Sequence, residues 1–312
     1  MGHDRLLAED LHEWLGRSEN LVLVDVLTKS HFRRAHLPGA VNACVFKVDF
    51  LETMEQAVSD KTETVVVYGS SESSMDALVA EEKLLSAGYG QVLVLEGGLK
   101  AWSEAGFALE GEAVSEKSDT GVYLCIKDGN YPVDITRSTL KWIGRNATTT
   151  HFGHVQLSDA TLQVKNSSIN GVFTLDMESI SNENLKGDKF HPVLIDHLKS
   201  DDFFFTRLFP HARFRITDSH LLEKPFRGSP NYKIAGDLLL RGKTASLDFL
   251  STVNLTKKGC LLAEAHFDLD RTNWGIIYGS ARFFEFLGMH LVYDLISLEL
   301  RIVTGPRQDS AI

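Results

Sequence analysis

The sequence predicts two domains of different class: an α/β domain on a parallel sheet with flanking helices, then an antiparallel β-barrel. Three observations predict it. Within the first 110 residues, short apolar runs (LVLVDV at 21–26, TVVVY at 64–68, QVLVL at 91–95) alternate with stretches of helical periodicity. Strands apolar at every position suit a parallel sheet covered by helices on both faces. From residue 121 onward the apolar positions recur with period two, which marks strands with one buried face. The charge shifts at the same place: residues 1–110 hold 9 basic and 18 acidic residues, and residues 121–312 hold 22 and 21. Two units with different surfaces are therefore expected.

Leu6, Leu7, Leu11 and Leu15 recur at helical spacing and predict a helix over 6–15. The strand at 21–26 carries Asp25 near its end. After the strand at 64–68, SSMDALVAEEKLLSAGYG reads as a helix stopped by Gly88, with Ala77, Leu78, Leu84 and Leu85 on its apolar face. GLKAWSEAGF, 98–107, is a second short helix ended by Gly106. Residues 111–120, GEAVSEKSDT, are small, polar and charged, and read as a linker between a domain at 1–110 and one at 121–305. In the latter, Leu140, Trp142 and Gly144 share a strand face, as do Phe173, Leu175 and Met177, and Phe214 and Ile216. Ile234, Gly236, Leu238 and Leu240 follow, then Leu247, Phe249 and Val253. Ala265, Phe267 and Leu269 form the next face, and Leu298, Leu300 and Ile302 the last. Many alternating strands at short spacing mean a sandwich or barrel. Residues 191–206 are the one helical interruption, and the polar tail at 306–312 is expected to fray.

Composition excludes several classes. The 312 residues are 43% hydrophobic and 24% charged, as in globular proteins. A net charge of −10 argues against nucleic acid and anionic membranes as partners. No apolar run approaches the ~18 residues of a membrane span. The opening MGHDRLLAEDLHEWL is acidic and amphipathic, unlike a secretory signal. Cys44, Cys125 and Cys260 are far apart, with no CxxC, and read as reduced thiols in a cytoplasmic protein. The glycosylation triplets at Asn146, Asn166 and Asn254 then carry no meaning. His151-x-x-His154, and His191 with His197, lack a Cys or carboxylate at ligand spacing, so no metal is expected.

The first domain resembles the rhodanese family over residues 5–110. The resemblance rests on LVLVDV followed by HFRRAHLPGAVN, with Asp25, His36, Pro38, Gly39 and Ala40 matching. VVVYGSSESSMDA lies at the position of the active loop, and VLVLEGGLKAW supplies the closing Gly-Gly-x-x-x-Trp. The resemblance implies a loop of the form Cys-x-x-Gly-x-Arg, whose thiolate carries sulfur as a persulfide while backbone N–H groups hold the anion. Here Gly69 stands at the cysteine position, Glu72 at the glycine and Ser74 at the arginine. The loop Gly69, Ser70, Ser71, Glu72, Ser73 and Ser74 thus offers no thiol, and Val26 and Leu27 stand where an Arg usually follows Asp25. Glycine supplies no nucleophile, and a glutamate repels anions. Ser70 or Ser71 needs a base that the loop does not provide, and His36 reads as ordering its turn. Sulfurtransferase activity is expected to be absent, leaving an acidic module for scaffolding or partner contact.

The second domain resembles the YceI-like family of lipocalin-like, polyisoprenoid-binding barrels from Tyr131 to Val303. YPVDITRSTLKWIGRN carries Asp134 and Ser138, and HFGHVQLSDATLQV continues it. HLKSDDFFFTRLFPHARFRI, NYKIAGDLLLRGKTASLDF and HFDLDRTNWGIIYGSARFFEFLG follow in order. The resemblance implies an isoprenoid, a quinone or a fatty acid-like lipid as ligand, and no catalytic cofactor. The residues expected to contact it are Leu140, Trp142, Phe152, Phe173, Leu175 and Met177. Phe203, Phe204, Phe214, Leu238, Leu240 and Phe249 join them, followed by Phe267, Trp274, Phe283 and Phe284. His197, Lys199 and Arg271 either hold a loop across the barrel end or meet the ligand's head group. The patterning alone also fits a dry barrel filled by its own side chains. Two further readings stay open: an enzyme, sulfurtransferase or phosphatase, with a displaced nucleophile, and a purely structural protein. The sequence permits a homodimer.

Overall fold

The structure is a computed structural model that describes residues 5–17, 21–112, 126–223 and 225–308. The chain divides into two compact units, 1–118 and 119–312. The linker expected at 111–120 lies outside the described residues from 113 onward, as does Cys125.

The first unit runs β1 (Arg5–Leu6), α1 (Ala8–Gly16), β2 (Leu21–Asp25), α2 (Lys29–Arg34), β3 (Val41–Asn42), α3 (Phe50–Ala57), β4 (Thr64–Tyr68), α4 (Asp76–Ser86), β5 (Gln91–Leu95) and α5 (Gly98–Glu104). Its five strands form one parallel sheet in the order β1-β5-β4-β2-β3. The unbroken apolar run in β4 has a direct reason. Val65 and Val67 pack with Phe50, Met54 and Leu84 on one face. Val66 and Tyr68 pack with Leu11 and Trp102 on the other. The helix expected over 6–15 starts two residues later. Leu6 is a strand residue paired with Leu95, and Leu7 is exposed.

The second unit runs β6 (Gly129–Asn130), β7 (Thr139–Arg145), β8 (Thr150–Lys165), β9 (Ser168–Asp176), α6 (His191–Lys199), β10 (His211–Leu221), β11 (Tyr232–Leu240), β12 (Lys243–Leu255), β13 (Cys260–Asp270) and β14 (Leu295–Pro306). From β7 to β14 each strand pairs antiparallel with the next, and β14 returns to β7, closing an eight-stranded barrel. Two hairpins turn on consecutive positive-φ residues, Asn166–Ser167 and Arg241–Gly242, the geometry that matches strand twist. Residues 306–308 do not fray: Gln308 and Asn130 exchange backbone hydrogen bonds of 2.8 and 3.2 Å, which fastens the chain end to β6. Residues 309–312 lie outside the described residues. The helical interruption is shorter than expected, ending at Lys199. Among the described residues no helix is long and apolar enough to cross a membrane.

Candidate ligand-binding lumen

Alternation along the closed strands turns one face of each strand inward. The inward residues leave two chambers, of about 140 and 300 Å³. Leu140, Leu175, Leu238, Leu269 and Leu298 line both, so the chambers are successive halves of one lumen meeting at a leucine waist. The deep chamber is aromatic. Phe249 and Phe267 stack with ring centroids 4.4 Å apart, and Phe214 lies 5.8 Å from Phe249. Phe214 reaches across because residue 236 is glycine: a Cβ there would lie 2.4 Å from its ring. Three polar residues touch this chamber, and all are engaged in its wall. Ser251 donates to the Glu264 carbonyl at 3.0 Å, Thr304 accepts from the Leu261 N–H at 2.9 Å, and the Glu264 carboxylate pairs with Arg301. The space is therefore without free hydrogen-bonding groups, and a cavity of this size lined by Leu, Ile and Phe stays dry.

The outer chamber lies under α6 and the segment that follows it. The segment 180–182 can cross β8 because residue 153 is glycine; a Cβ there would meet the Ser181 carbonyl at 1.8 Å. Trp142 donates its indole N–H to that same carbonyl at 3.2 Å. His197, Phe203 and Tyr278 form an aromatic cluster, with centroids 4.6–5.4 Å apart. Arg271 is buried beside them, its Cζ 5.9 Å from the Phe203 ring centroid. Its guanidinium donates to the carbonyls of Tyr293 (3.1 Å), Ile276 (2.6 Å) and Val292 (3.0 Å) and approaches Asp294 at 3.4 Å. Burial pulls its pKa down, while the carboxylates of Asp294 and Asp270 oppose that. Arg282 pairs with both of those carboxylates, at 3.1 and 2.7 Å.

Most of the expected contact residues meet in this lumen. Phe173, Phe214, Phe249 and Phe267 line the deep chamber, and Leu140, Leu175 and Leu238 the waist. Trp142, Met177, Phe203, Phe204 and Leu240 line the outer chamber, with His197 and Arg271. Five residues are placed elsewhere. Phe152 neighbours the inward Gly153, so alternation sends it to the outer face, where the Lys141 ammonium sits 5.6 Å over its ring. Trp274 is fully buried in the wall and donates to the Leu238 carbonyl at 2.8 Å. Phe283 and Phe284 are 53% and 45% exposed and line neither chamber. Lys199 pairs with Glu178 at 3.0 Å, outside the lumen. Sequence reasoning missed His151, Tyr278, Met289 and His290, all in the outer lining. The last three sit between β13 and β14, in turns and one 3-10 turn (Gly288–His290) too short to show a periodicity.

In the first unit, the loop between β4 and α4 is closed by its own polar groups. Ser74 and Ser70 donate to the Asp76 carboxylate, the latter at 3.4 Å, and Ser71 and Ser73 pair at 3.0 Å. A Cβ on Gly69 would lie 2.9 Å from the Asp76 Cβ. His36 is held by its Phe32 contacts, with Nδ1 2.6 Å from the Phe32 carbonyl and the two rings stacked at 3.8 Å. Asp25 is fully buried and accepts from the Leu27 N–H at 2.8 Å. Burial raises its pKa despite bonds to Leu27, Tyr68 and Asn42. Among the described residues no cluster of His, Cys, Asp and Glu is arranged to hold a metal.

A family model for the YceI-like domain matches residues 131–304, and one for the rhodanese-like domain matches residues 7–105. No curated protein matches the chain. Among solved structures, BcnA of Burkholderia cenocepacia is 18% identical, covering 55% of this chain and 98% of its own, with a TM-score of 0.43. A polyisoprenoid binding domain from Saccharophagus degradans is 10% identical, with 58% and 99% coverage and a TM-score of 0.40. The Alr3790 protein of Anabaena sp. is 28% identical over 35% of this chain and 94% of its own, with a TM-score of 0.32. The barrel places this chain in the YceI-like family, and a rhodanese-like domain precedes it.

Proposed function

We propose that the protein binds and carries a long apolar ligand, an isoprenoid, an isoprenoid quinone or a fatty chain, in the barrel lumen. The observation that carries this reading is the pair of adjoining chambers that share a leucine wall, the deep one with no free polar group. Such a space discriminates for apolar chains and against anything that must keep its water. Burying ten CH₂ groups contributes about 8 kcal/mol, enough to offset much of an ordering cost of roughly 4–15 kcal/mol. The polyisoprenoid-binding description of the Saccharophagus domain agrees with it. Native mass spectrometry of the purified full chain, with solvent extraction, tests it. A discrete adduct identified as a prenyl or fatty lipid is expected. A clean mass that persists after incubation with quinones, prenyl lipids and fatty acids would favour a dry, structural barrel.

The first domain serves this reading as a non-catalytic scaffold or partner module, its acidic surface available to a protein partner. Support comes from the loop, where an internal carboxylate, Asp76, takes the serine hydroxyls that a bound anion would need. Free Cys44 and Cys260 suit a reducing compartment such as the cytoplasm. The competing reading, a sulfurtransferase or phosphatase with a displaced nucleophile, requires Ser71, or Ser70 with the Asp76 carboxylate 3.4 Å away as its base, to do the attack. Thiocyanate formation from thiosulfate and cyanide, lost on Ser70→Ala, would establish that reading instead.

A further inference from the structure

Resting on the lumen as a lipid cavity, we propose that its cargo is a single-chain amphiphile with an acidic head group, a carboxylate or phosphate. The head sits in the outer chamber and the tail runs through the leucine waist into the deep one. The deep chamber cannot hold the head, because Ser251, Thr304 and Glu264 are committed to the wall. A charge placed there would lose its water without compensation.

The outer chamber differs in kind. Its polar side chains include His151, His197, Tyr278 and His290, with the Tyr278 hydroxyl 3.2 Å from His290 Nδ1. The permanent side-chain charge that faces it is the Arg271 guanidinium, and no Asp or Glu is among its lining residues. Asp270 and Asp294, which balance Arg271, are themselves shared with Arg282 and line neither chamber. Arg145 does not add to this: it lies one residue beyond the inward Gly144, and its 2.8 Å bond to Ser297 Oγ, which in turn donates to Asp268, holds its guanidinium on the outer face. The lumen thus faces the Arg271 guanidinium and not the carboxylates that balance it, which favours an anion and disfavours an ammonium. Met289 lines this chamber while 89% exposed. The head therefore meets solvent at this end and keeps part of its hydration.

The test uses the full chain and displacement of N-phenyl-1-naphthylamine, an uncharged apolar fluorophore. The competitors share a tail and differ in head: hexadecanoic acid, hexadecanol and hexadecylamine, each below its aggregation concentration. Geranylgeranyl phosphate and geranylgeraniol form a second pair, which separates a fatty source of the acid from a prenyl one. The acid is expected to displace the probe at a concentration at least ~10-fold lower than the amine, with the alcohol between them. Tyr278→Phe combined with His290→Leu should pull the acid towards the alcohol and shift the alcohol less than the acid. Equal potency of acid, alcohol and amine overturns the acidic head and leaves the lumen reading standing. An acid preference untouched by the double variant overturns the placement of the head. Absence of both probe uptake and displacement overturns the lumen reading itself, and this inference with it.

Discussion

Restoring a thiol at Gly69 is the sharpest test of the first domain. A Cβ built at Gly69 lies 2.9 Å from the Asp76 Cβ, 3.2 Å from its Oδ2 and 3.3 Å from the Ala77 backbone nitrogen. The carbon–carbon optimum is about 3.5–4.0 Å, so the helix start must give way. Overpacking of this kind costs about 1–3 kcal/mol. The electrostatic penalty is separate. A thiolate on that Cβ would sit within about 4 Å of the Asp76 carboxylate. At an effective dielectric near 20 this repulsion is about 4 kcal/mol, or roughly three pH units against ionisation. Gly69→Cys alone should therefore unfold more readily and carry a thiol that titrates well above the ordinary ~8.5. It should show no thiosulfate turnover.

Gly69→Cys combined with Asp76→Ala removes the carboxylate and frees Ser70 and Ser74, while the contacts with the residue-76 Cβ and the Ala77 nitrogen remain. In the double variant the thiol pKa should fall by at least one unit, and most of the overpacking cost should persist. The assay is the pH dependence of iodoacetamide alkylation, read beside urea unfolding followed by tryptophan fluorescence. A single variant that alkylates as fast at neutral pH as the double one would refute the reasoning, because Asp76 would then not govern the site.

Replacing the waist residue Leu298 by Trp should obstruct passage between the chambers and lower lipid occupancy in native mass spectra several-fold, whereas Phe152→Ala on the outer face should leave occupancy unchanged. Arg271→Met should lower stability by about 3 kcal/mol or more, since it strands the carbonyls of Tyr293, Ile276 and Val292. Arg271→Lys should rescue little, because one ammonium does not span three divergent acceptors; urea midpoints decide both. Asp25 holds its proton more tightly folded than unfolded. Its contribution to stability is thus fully present below the unfolded value of 3.8 and is lost as pH rises through the folded one. Asp25→Asn should flatten that arm of the pH–stability profile. A variant whose unfolding midpoint still falls as pH rises above the unfolded value of 3.8, as the parent's does, would assign the arm to another group.

What the sequence disclosed and what it concealed divide along physical lines. The sheet of the first domain is legible because β4 is buried on both faces, so every position from Val65 to Tyr68 is apolar. α2 and α3 are not legible: KSHFRR is six residues with no buried face, and FLETMEQA buries only Phe50 and Met54. The barrel wall is legible because closure makes side-chain direction a strict function of parity. Phe214 and Ile216, or Phe249 and Val253, then have one place to point. Parity also corrects the reading of Phe152, whose neighbours Gly153 and Val155 are buried.

The ends of the barrel obey no such rule. Tyr278 reaches the outer chamber from a turn, and Met289 and His290 from a single 3-10 turn, Gly288–His290. Phe283 and Phe284, close by in sequence and equally aromatic, do not reach it. The chain there is placed by Arg271, whose bonds to the carbonyls of Ile276, Val292 and Tyr293 fasten the two limbs of the segment from inside. A side chain committed to backbone carbonyls leaves no periodic trace, because its partners can be any residue type. The same bonds make Arg271 a fastener first and a source of positive potential second. That ordering is why the head-group test leaves Arg271 intact and asks the question at Tyr278 and His290. It also locates the divergence expected within such barrels. The wall is constrained by parity and packing, while the mouth is held by one well-satisfied anchor, so substitutions around that anchor should perturb the fold less than substitutions in the wall.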